Sequence, residues 1–389
     1  MTRSPQTRWI AALAALLLFL LSAWLFGSAL VLTDAERTVL RVGLVVLGVL
    51  AAAALLWWLR PSAAPTPAPN PTKDDALGAL TAARARLPRG AFDARPLVLI
   101  VGATGSTKTT IVARSGTDPA LLAGDAPVLG PGDAAPPTAA ANVWAAGDAV
   151  VVEPSGAVFA DPARWRAFVR ALRAPRLAAA VGRAEPAARA AVLCVPCDVF
   201  YGDDAGAGAE QLARMARERL AEAARELGLA LPVYVLLTKA DRIPQFEPWA
   251  APFTRDEVRA PLGIAFPFDA AAGGASGTGG YAERVTPRLE AAFAGIAGSL
   301  AARRLDLMGR EGVAGRRLAA YEFPREVAKL APAATRFLAE VCRPVSLGAA
   351  PQLRGVYLVG ARPVLVGDAT GSASNGVGAA AAAPALATA

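Results

Sequence analysis

"PLVLIVGATGSTKTT", residues 96–110, decides how the chain folds. Leu97 to Val101 is a short apolar run without alternation, the pattern of a strand buried on both faces of a parallel sheet. It leads into a near-match to a phosphate-binding loop, which reads Gly, four residues, Gly, Lys, then Ser or Thr, between a strand and a helix. Gly102, Lys108 and Thr109 keep that spacing, while Thr107 stands where the second glycine belongs. In a working loop, the backbone from Gly102 through Gly105, Ser106 and Thr107 to Thr110 would turn N–H groups toward a phosphate. Lys108 would reach the terminal phosphates of GTP or ATP, and the Thr109 hydroxyl would ligate Mg²⁺. The other reading is an ordinary strand-to-helix turn with Thr107 near the helix start.

Outward from this loop, strand and helix patterns alternate. "DAVVVEPSG", "RAAVLCVPCD" and "LPVYVLLTKAD" read as further buried strands, and "ADPARWRAFVRALRAP" and "GAEQLARMARERLAEAARELG" read as helices. That alternation predicts an α/β fold with a doubly wound sheet over residues 74–270. Residues 271–366 read as a helical extension, helical from Tyr281 to Arg343 with a break at "YEFP". The low-complexity stretch 367–389 reads as a disordered tail.

Two more motifs close strands of this pattern. "EPSG" puts Glu153 where a nucleotide hydrolase carries the Asp of its Mg²⁺ shell, and Gly156 where an N–H meets the γ-phosphate. Glutamate is one methylene too long for an ion that tolerates little geometric error, and Pro154 stiffens the turn. "TKAD" supplies Thr238, Lys239 and Asp241, a quartet whose carboxylate can accept two N–H bonds from a guanine edge while the lysine stem covers the ring. A loop of solvated charges is the alternative. "CVPC", Cys194 to Cys197, lacks the partners for a zinc site, because the chain has no histidine and one further cysteine, Cys342. Both cysteines read as small apolar residues at a strand end.

Composition narrows the function classes. The absence of histidine removes Ser-His-Asp and Cys-His catalysis and every His-ligated metal. The three cysteines suit a reducing compartment. A net charge of +8 is scattered among acids without an aromatic-studded basic stripe, so no nucleic-acid partner is expected. The first 60 residues read instead as a membrane hairpin, with spans at 9–32 and 42–59 joined by a short loop. Trp9, Trp57 and Trp58 mark the interfaces, and positive charge on both flanks puts both ends in the cytoplasm. A Pro-rich linker, 61–73, follows.

In this order the motifs resemble the N-terminal part of the IcmF/TssM family, the large inner-membrane subunit of the type VI secretion system. The resemblance runs over about residues 9–362 and is carried by the hairpin, the loop at 102–110, "EPSG", "TKADRIPQF", "YEFPREVAKL" and "LRGVYLVG". The last two are absent from generic GTPases. The resemblance implies a multi-pass protein of the bacterial inner membrane with most of the chain cytoplasmic. It implies contacts to a partner membrane subunit and to baseplate components, and an oligomeric assembly. Thr107, Glu153 and Pro154 depart from the family's GxxGSGKTT-like and DTAG-like motifs, so weak or absent binding of GTP or ATP with Mg²⁺ is expected. A structural component is therefore favoured over an active NTPase or a truncated, non-functional copy. Family members continue into a further span and a periplasmic region, whose contacts are not carried over.

Overall fold

The computed structural model describes residues 22, 34–58, 75–130, 133–173, 187–201, 205–254, 256–267, 280–344, 351–361, 363–365 and 386–388. The chain divides into two units, Met1–Pro69 and Asn70–Ala389.

In the first unit, α1 (Asp34–Trp58) carries the second expected span as far as Trp58. The first expected span lies outside the described residues, Ser22 excepted. Among the described residues no helix is long and apolar enough to cross a membrane. Along α1, Val42, Val46, Leu47, Val49 and Leu50 are exposed.

The second unit is a mixed α/β domain around one eight-stranded, mostly parallel sheet. In chain order it opens with α2 (Ala76–Arg86), α3 (Ala91–Ala94), β1 (Leu97–Val101), α4 (Lys108–Ala113) and β2 (Ala120–Ala123). Then come β3 (Ala141–Ala146), β4 (Ala149–Pro154), α5 (Gly156–Ala160), α6 (Pro162–Ala171), β5 (Arg189–Pro196), α7 (Ala205–Leu227) and β6 (Pro232–Thr238). The rest is α8 (Phe246–Ala250), β7 (Gly263–Ala265), α9 (Tyr281–Ala302), α10 (Arg304–Arg310), α11 (Ala314–Val341) and β8 (Gln352–Leu358). The sheet order is β2-β3-β4-β1-β5-β6-β8-β7. Strands β4, β1, β5, β6 and β8 run parallel, and β2–β3, β3–β4 and β7–β8 pair antiparallel.

Both faces of β1 are covered, as its unalternating apolar run requires. Leu97, Leu99 and Val101 enter the main core, while Ile100 joins Val112, Trp144, Val151 and Cys194 on the other face. Helix α7 lays Ala209, Ala213, Ala216, Leu220 and Ala224 into the main core at helical spacing. Helix α6 is started by Asp161, whose carboxylate accepts from the N–H groups of Ala163 and Arg164, with Pro162 in the first turn.

Three expectations need correction. The helical stretch breaks at Arg303 and at 311–313, and not at "YEFP". Phe323 and Pro324 sit inside α11 and are buried, so packing outweighs the proline's lost N–H. The segment expected as a helical extension also returns to the sheet: β8 pairs in parallel with β6, Val235 opposite Val356. Within the expected tail, Leu386–Thr388 forms β10, antiparallel to β9 (Pro363–Leu365), with Leu386 opposite Leu365.

Candidate functional site

Strand β1 lies between β4 and β5, so the chain crosses from one half of the sheet to the other at its C-terminal end. Open α/β sheets bind ligands at such a switch point. The loop 102–108 leaves β1 there, Glu153 ends β4, and Thr238 ends β6. Folding thus brings the three sequence motifs to one edge of the sheet. A cavity of about 70 Å³ opens between loop residues 104–110, the segment 134–138, Glu153 and Gly156. Whole-ligand pockets run to about 300–1,000 Å³, so this space is of phosphate size and far from nucleotide size.

The loop is tightly folded. A Cβ on Gly102 would lie 2.5 Å from the Cys194 carbonyl oxygen, so only glycine fits against β5 here. A Cβ on Gly156 would run into the backbone N of Thr104, which puts the 153–156 turn directly against the loop. Thr107 has φ 59° and ψ 22°, left-handed for a β-branched residue, and its hydroxyl donates to the Ser106 carbonyl at 2.8 Å. The missing glycine was thus a requirement of the backbone, and Thr107 carries the strain of its replacement.

Lys108 is 6% exposed, and its Nζ turns back on the loop, donating to the carbonyls of Gly102 (3.1 Å) and Ala103 (3.0 Å). Burial lowers its pKa from the ordinary lysine value, opposed by the charge of Glu153 and then by Cys194. Glu153 is fully buried. Its Oε1 accepts from the hydroxyls of Thr109 and Thr138, both at 2.6 Å, and its Oε2 accepts from Asn142 Nδ2 at 3.1 Å. Thr109 and Thr138 Oγ1 are themselves 3.0 Å apart. Two hydroxyls and a carboxylate are the right donor types for Mg²⁺. Neighbouring ligands around Mg²⁺ sit about 2.9 Å apart, however, and here direct O–H···O bonds close that gap. Among the described residues no group of three or more His, Cys, Asp or Glu could hold a metal.

Thr138 and Asn142 were missed by sequence reasoning. Asn142 could have been found. "AAGDA" forms a two-residue hairpin turn, Gly147–Asp148, and counting back across it places Asn142 opposite Glu153. Thr138 lies in an irregular segment and carries no such signal.

The base end is built differently. The Thr238 hydroxyl donates to the Ser106 carbonyl at 3.3 Å, which ties "TKAD" to the loop. Lys239 is left-handed, φ 56°, and its Nζ lies 3.6 Å from Asp198 Oδ2, which also pairs with Arg242 at 2.7 Å. Asp241 Oδ1 accepts the Ala361 N–H at 3.1 Å, and the Ala240 N–H donates to the Val359 carbonyl at 3.0 Å. The segment after β8 therefore frames this end, and neither it nor Asp198 was expected at the site. Thr110, the last expected loop residue, accepts from the Ala135 N–H at 3.3 Å. Cys194 and Cys197 are free, buried thiols whose pKa values burial pushes up to about 12.

Comparison with known proteins bears on the chain's family. The model of the IcmF-related N-terminal domain matches residues 160–388. The chain is 30% identical over 271 residues to the type VI secretion system component TssM1 of Pseudomonas aeruginosa, across 67% of this chain and 23% of that protein. The chain thus spans about a quarter of the relative's length. No solved structure matches it. With more than half of its length matched by the family model, the chain belongs to the IcmF/TssM family of type VI secretion components.

Proposed function

We propose that the chain is a structural component of the type VI secretion membrane complex, held at the inner membrane by its N-terminal hairpin and presenting a degenerate GTPase-like domain to other secretion subunits. One observation carries the degenerate reading: the site is filled by its own side chains. Lys108 holds loop carbonyls, and Thr109, Thr138 and Asn142 saturate Glu153. Phosphate binding would need Lys108 to swing out of a buried position, and Mg²⁺ would need two hydroxyl bonds to Glu153 broken.

Support for anchoring comes from the uncharged runs at 9–32 and 42–59 and from the exposed valines and leucines of α1. The baseplate, a smaller partner membrane subunit and an oligomeric assembly are the contacts that family membership favours. Weak guanine-nucleotide binding through Lys108, Lys239 and Asp241 fits this reading, with Thr109 and Glu153 as the residues that would hold Mg²⁺. The second reading, an active membrane-tethered NTPase, is favoured by one observation: Thr109, Thr138 and Glu153 converge beside Gly156.

The deciding experiment uses the full chain in detergent micelles, titrated with GDP, GTP and ATP by calorimetry and assayed for phosphate release. Weak binding without turnover is expected. Micromolar GTP affinity with steady turnover, lost in Lys108→Ala, would establish the enzyme instead.

A further inference from the structure

Among the described residues of the second unit few large apolar side chains are exposed, and they are not scattered. Of Leu77, Val128, Leu305, Val313, Leu318 and Tyr321, four fall between residues 305 and 321, on α10, the joint after it and the first turns of α11. Leu305 is 83% exposed and Leu318 65%. Leu318, Tyr321 and Arg325 are spaced three and four apart, so they share one face of α11. The opposite face sends Ala320, Phe323, Val327 and Leu330 into the core.

Arginines surround this apolar corner. Arg304 stacks over the Tyr321 ring at 4.3 Å, with Arg325 on the same ring at 5.6 Å. Arg317 donates to the Gly312 carbonyl across the joint, and Arg316 is exposed beside it. Of the nearby acids, Glu257 pairs with Arg303 and Arg310, Asp306 with Arg310, and Glu322 with Arg325, while Glu311 accepts the Val313 N–H at the joint. Arg304, stacked on Tyr321, and Arg317, four residues before it, outnumber Glu311 and leave the corner positive.

We propose that this corner, Leu305, Val313, Leu318 and Tyr321 with Arg304 and Arg317, docks the domain against an anionic lipid surface. Protruding apolar side chains ringed by arginine match an interface whose headgroups are negative and whose acyl boundary yields to them. Isolated leucines on a rigid protein partner would need matching pockets, whereas a bilayer needs none. The inference rests on the anchoring reading, because the short linker at 61–73 raises the local concentration of lipid enough for a modest patch to dock. Each arginine near an anionic surface contributes about fivefold to partitioning.

The test uses the full chain reconstituted into vesicles. The native cysteines are buried thiols with pKa values near 12, so a Leu318→Cys variant takes an environment-sensitive dye selectively. In vesicles of phosphatidylcholine with phosphatidylglycerol, the dye should report an apolar setting and be quenched by spin-labelled lipid. In phosphatidylcholine alone, or at high salt, it should report water. Arg304→Gln with Arg317→Gln should lower the docked-to-free ratio roughly thirtyfold. Leu305→Ser, at a fully projecting side chain, should lower it without risk to the fold. A water-exposed dye on a chain that floats with anionic vesicles overturns this inference alone. A chain that fails to float overturns the anchoring reading. A dye that becomes shielded only when an acidic secretion subunit is added overturns the lipid assignment in favour of a protein partner.

Discussion

The phosphate end and the base end of the site share one sheet edge but differ in how far the protein satisfies itself there. At the phosphate end, Ser106, Lys108, Thr109 and Glu153 are all buried and bonded to one another or to the loop. At the base end, Asp241 stays exposed and accepts one backbone N–H, and Lys239 shares Asp198 with Arg242. Spacing has been kept at both ends. What differs is that the buried end cannot leave a charge or hydroxyl unmet, whereas the exposed end can leave its needs to water. On the proposed reading, a phosphate loop without its second glycine closes on itself for that reason, and a base site need not.

The largest expected contrast uses the two thiols behind these ends. Cys194 lies under Gly102, and Cys197 begins the turn that carries Asp198. Burial raises both from 9.0 to about 12, about a thousandfold less thiolate at neutral pH than in an exposed cysteine. Neither should react with a disulfide reagent until the domain opens. Single-cysteine variants in a Cys342→Ala background should label at Cys197 before Cys194, because the base end is the looser one. The reverse order would break the comparison. The same shifts set an alkaline limit. A folded pKa raised above the unfolded value gives stability that is present below pH 9 and lost as pH rises toward about 12. Thermal melts across that window should fall, and fall less in Cys194→Ala.

Removing the carboxylate that three side chains share comes next. Glu153→Ala leaves Thr109, Thr138 and Asn142 with unmet donors in a buried space, and should cost about 3 kcal/mol in chemical denaturation. Thr138→Val should cost about 1 kcal/mol, since Oε1 keeps Thr109. Near-neutral results at both positions would mean that the network is not what holds the loop closed.

A smaller effect of opposite sign belongs to Thr107. A left-handed β-branched residue costs about 1–3 kcal/mol, and glycine returns part of that gain as chain entropy. Thr107→Gly should stabilise the domain by about 1 kcal/mol and tighten GDP binding by removing a side chain that lines the cavity. Unchanged affinity on calorimetry would show that Lys108, and not Thr107, bars the phosphate.

How much of this was legible follows from where the information sits. Unalternating apolar runs announced β1, β4, β5 and β6, because burial on both faces leaves no choice of residue type. The left-handed backbone at Thr107 was legible from a single missing glycine. Strands β2 and β7 were not, since Ala120–Ala123 and Gly263–Ala265 are short edge strands with little pattern. The break expected at "YEFP" lies at 311–313 instead, because a buried proline inside a packed helix looks the same in sequence as one that ends a helix. Partners of Asp241 were out of reach for a different reason. The chain closes a separation of 120 residues to bring Ala361 to Asp241, and no local pattern encodes that.

That long-range contact gives the smallest and most selective test. Asp241 is exposed, so Asp241→Ala removes one backbone bond that water can replace, and its cost should stay below about 1 kcal/mol. If the base end reads guanine, the same variant should erase any preference for GDP over ADP while leaving inorganic phosphate binding unchanged, since the Lys108 end is untouched. If instead Asp241 serves only to pin the segment after β8, the stability loss will exceed that bound and nucleotide preference will not move. Asp241→Asn separates the two further. Its amide oxygen can still accept from Ala361, but it cannot accept two N–H groups as a carboxylate does, so a structural role is rescued and a guanine-reading role is not. Calorimetry with GDP and ADP beside a denaturation curve for each variant distinguishes these outcomes.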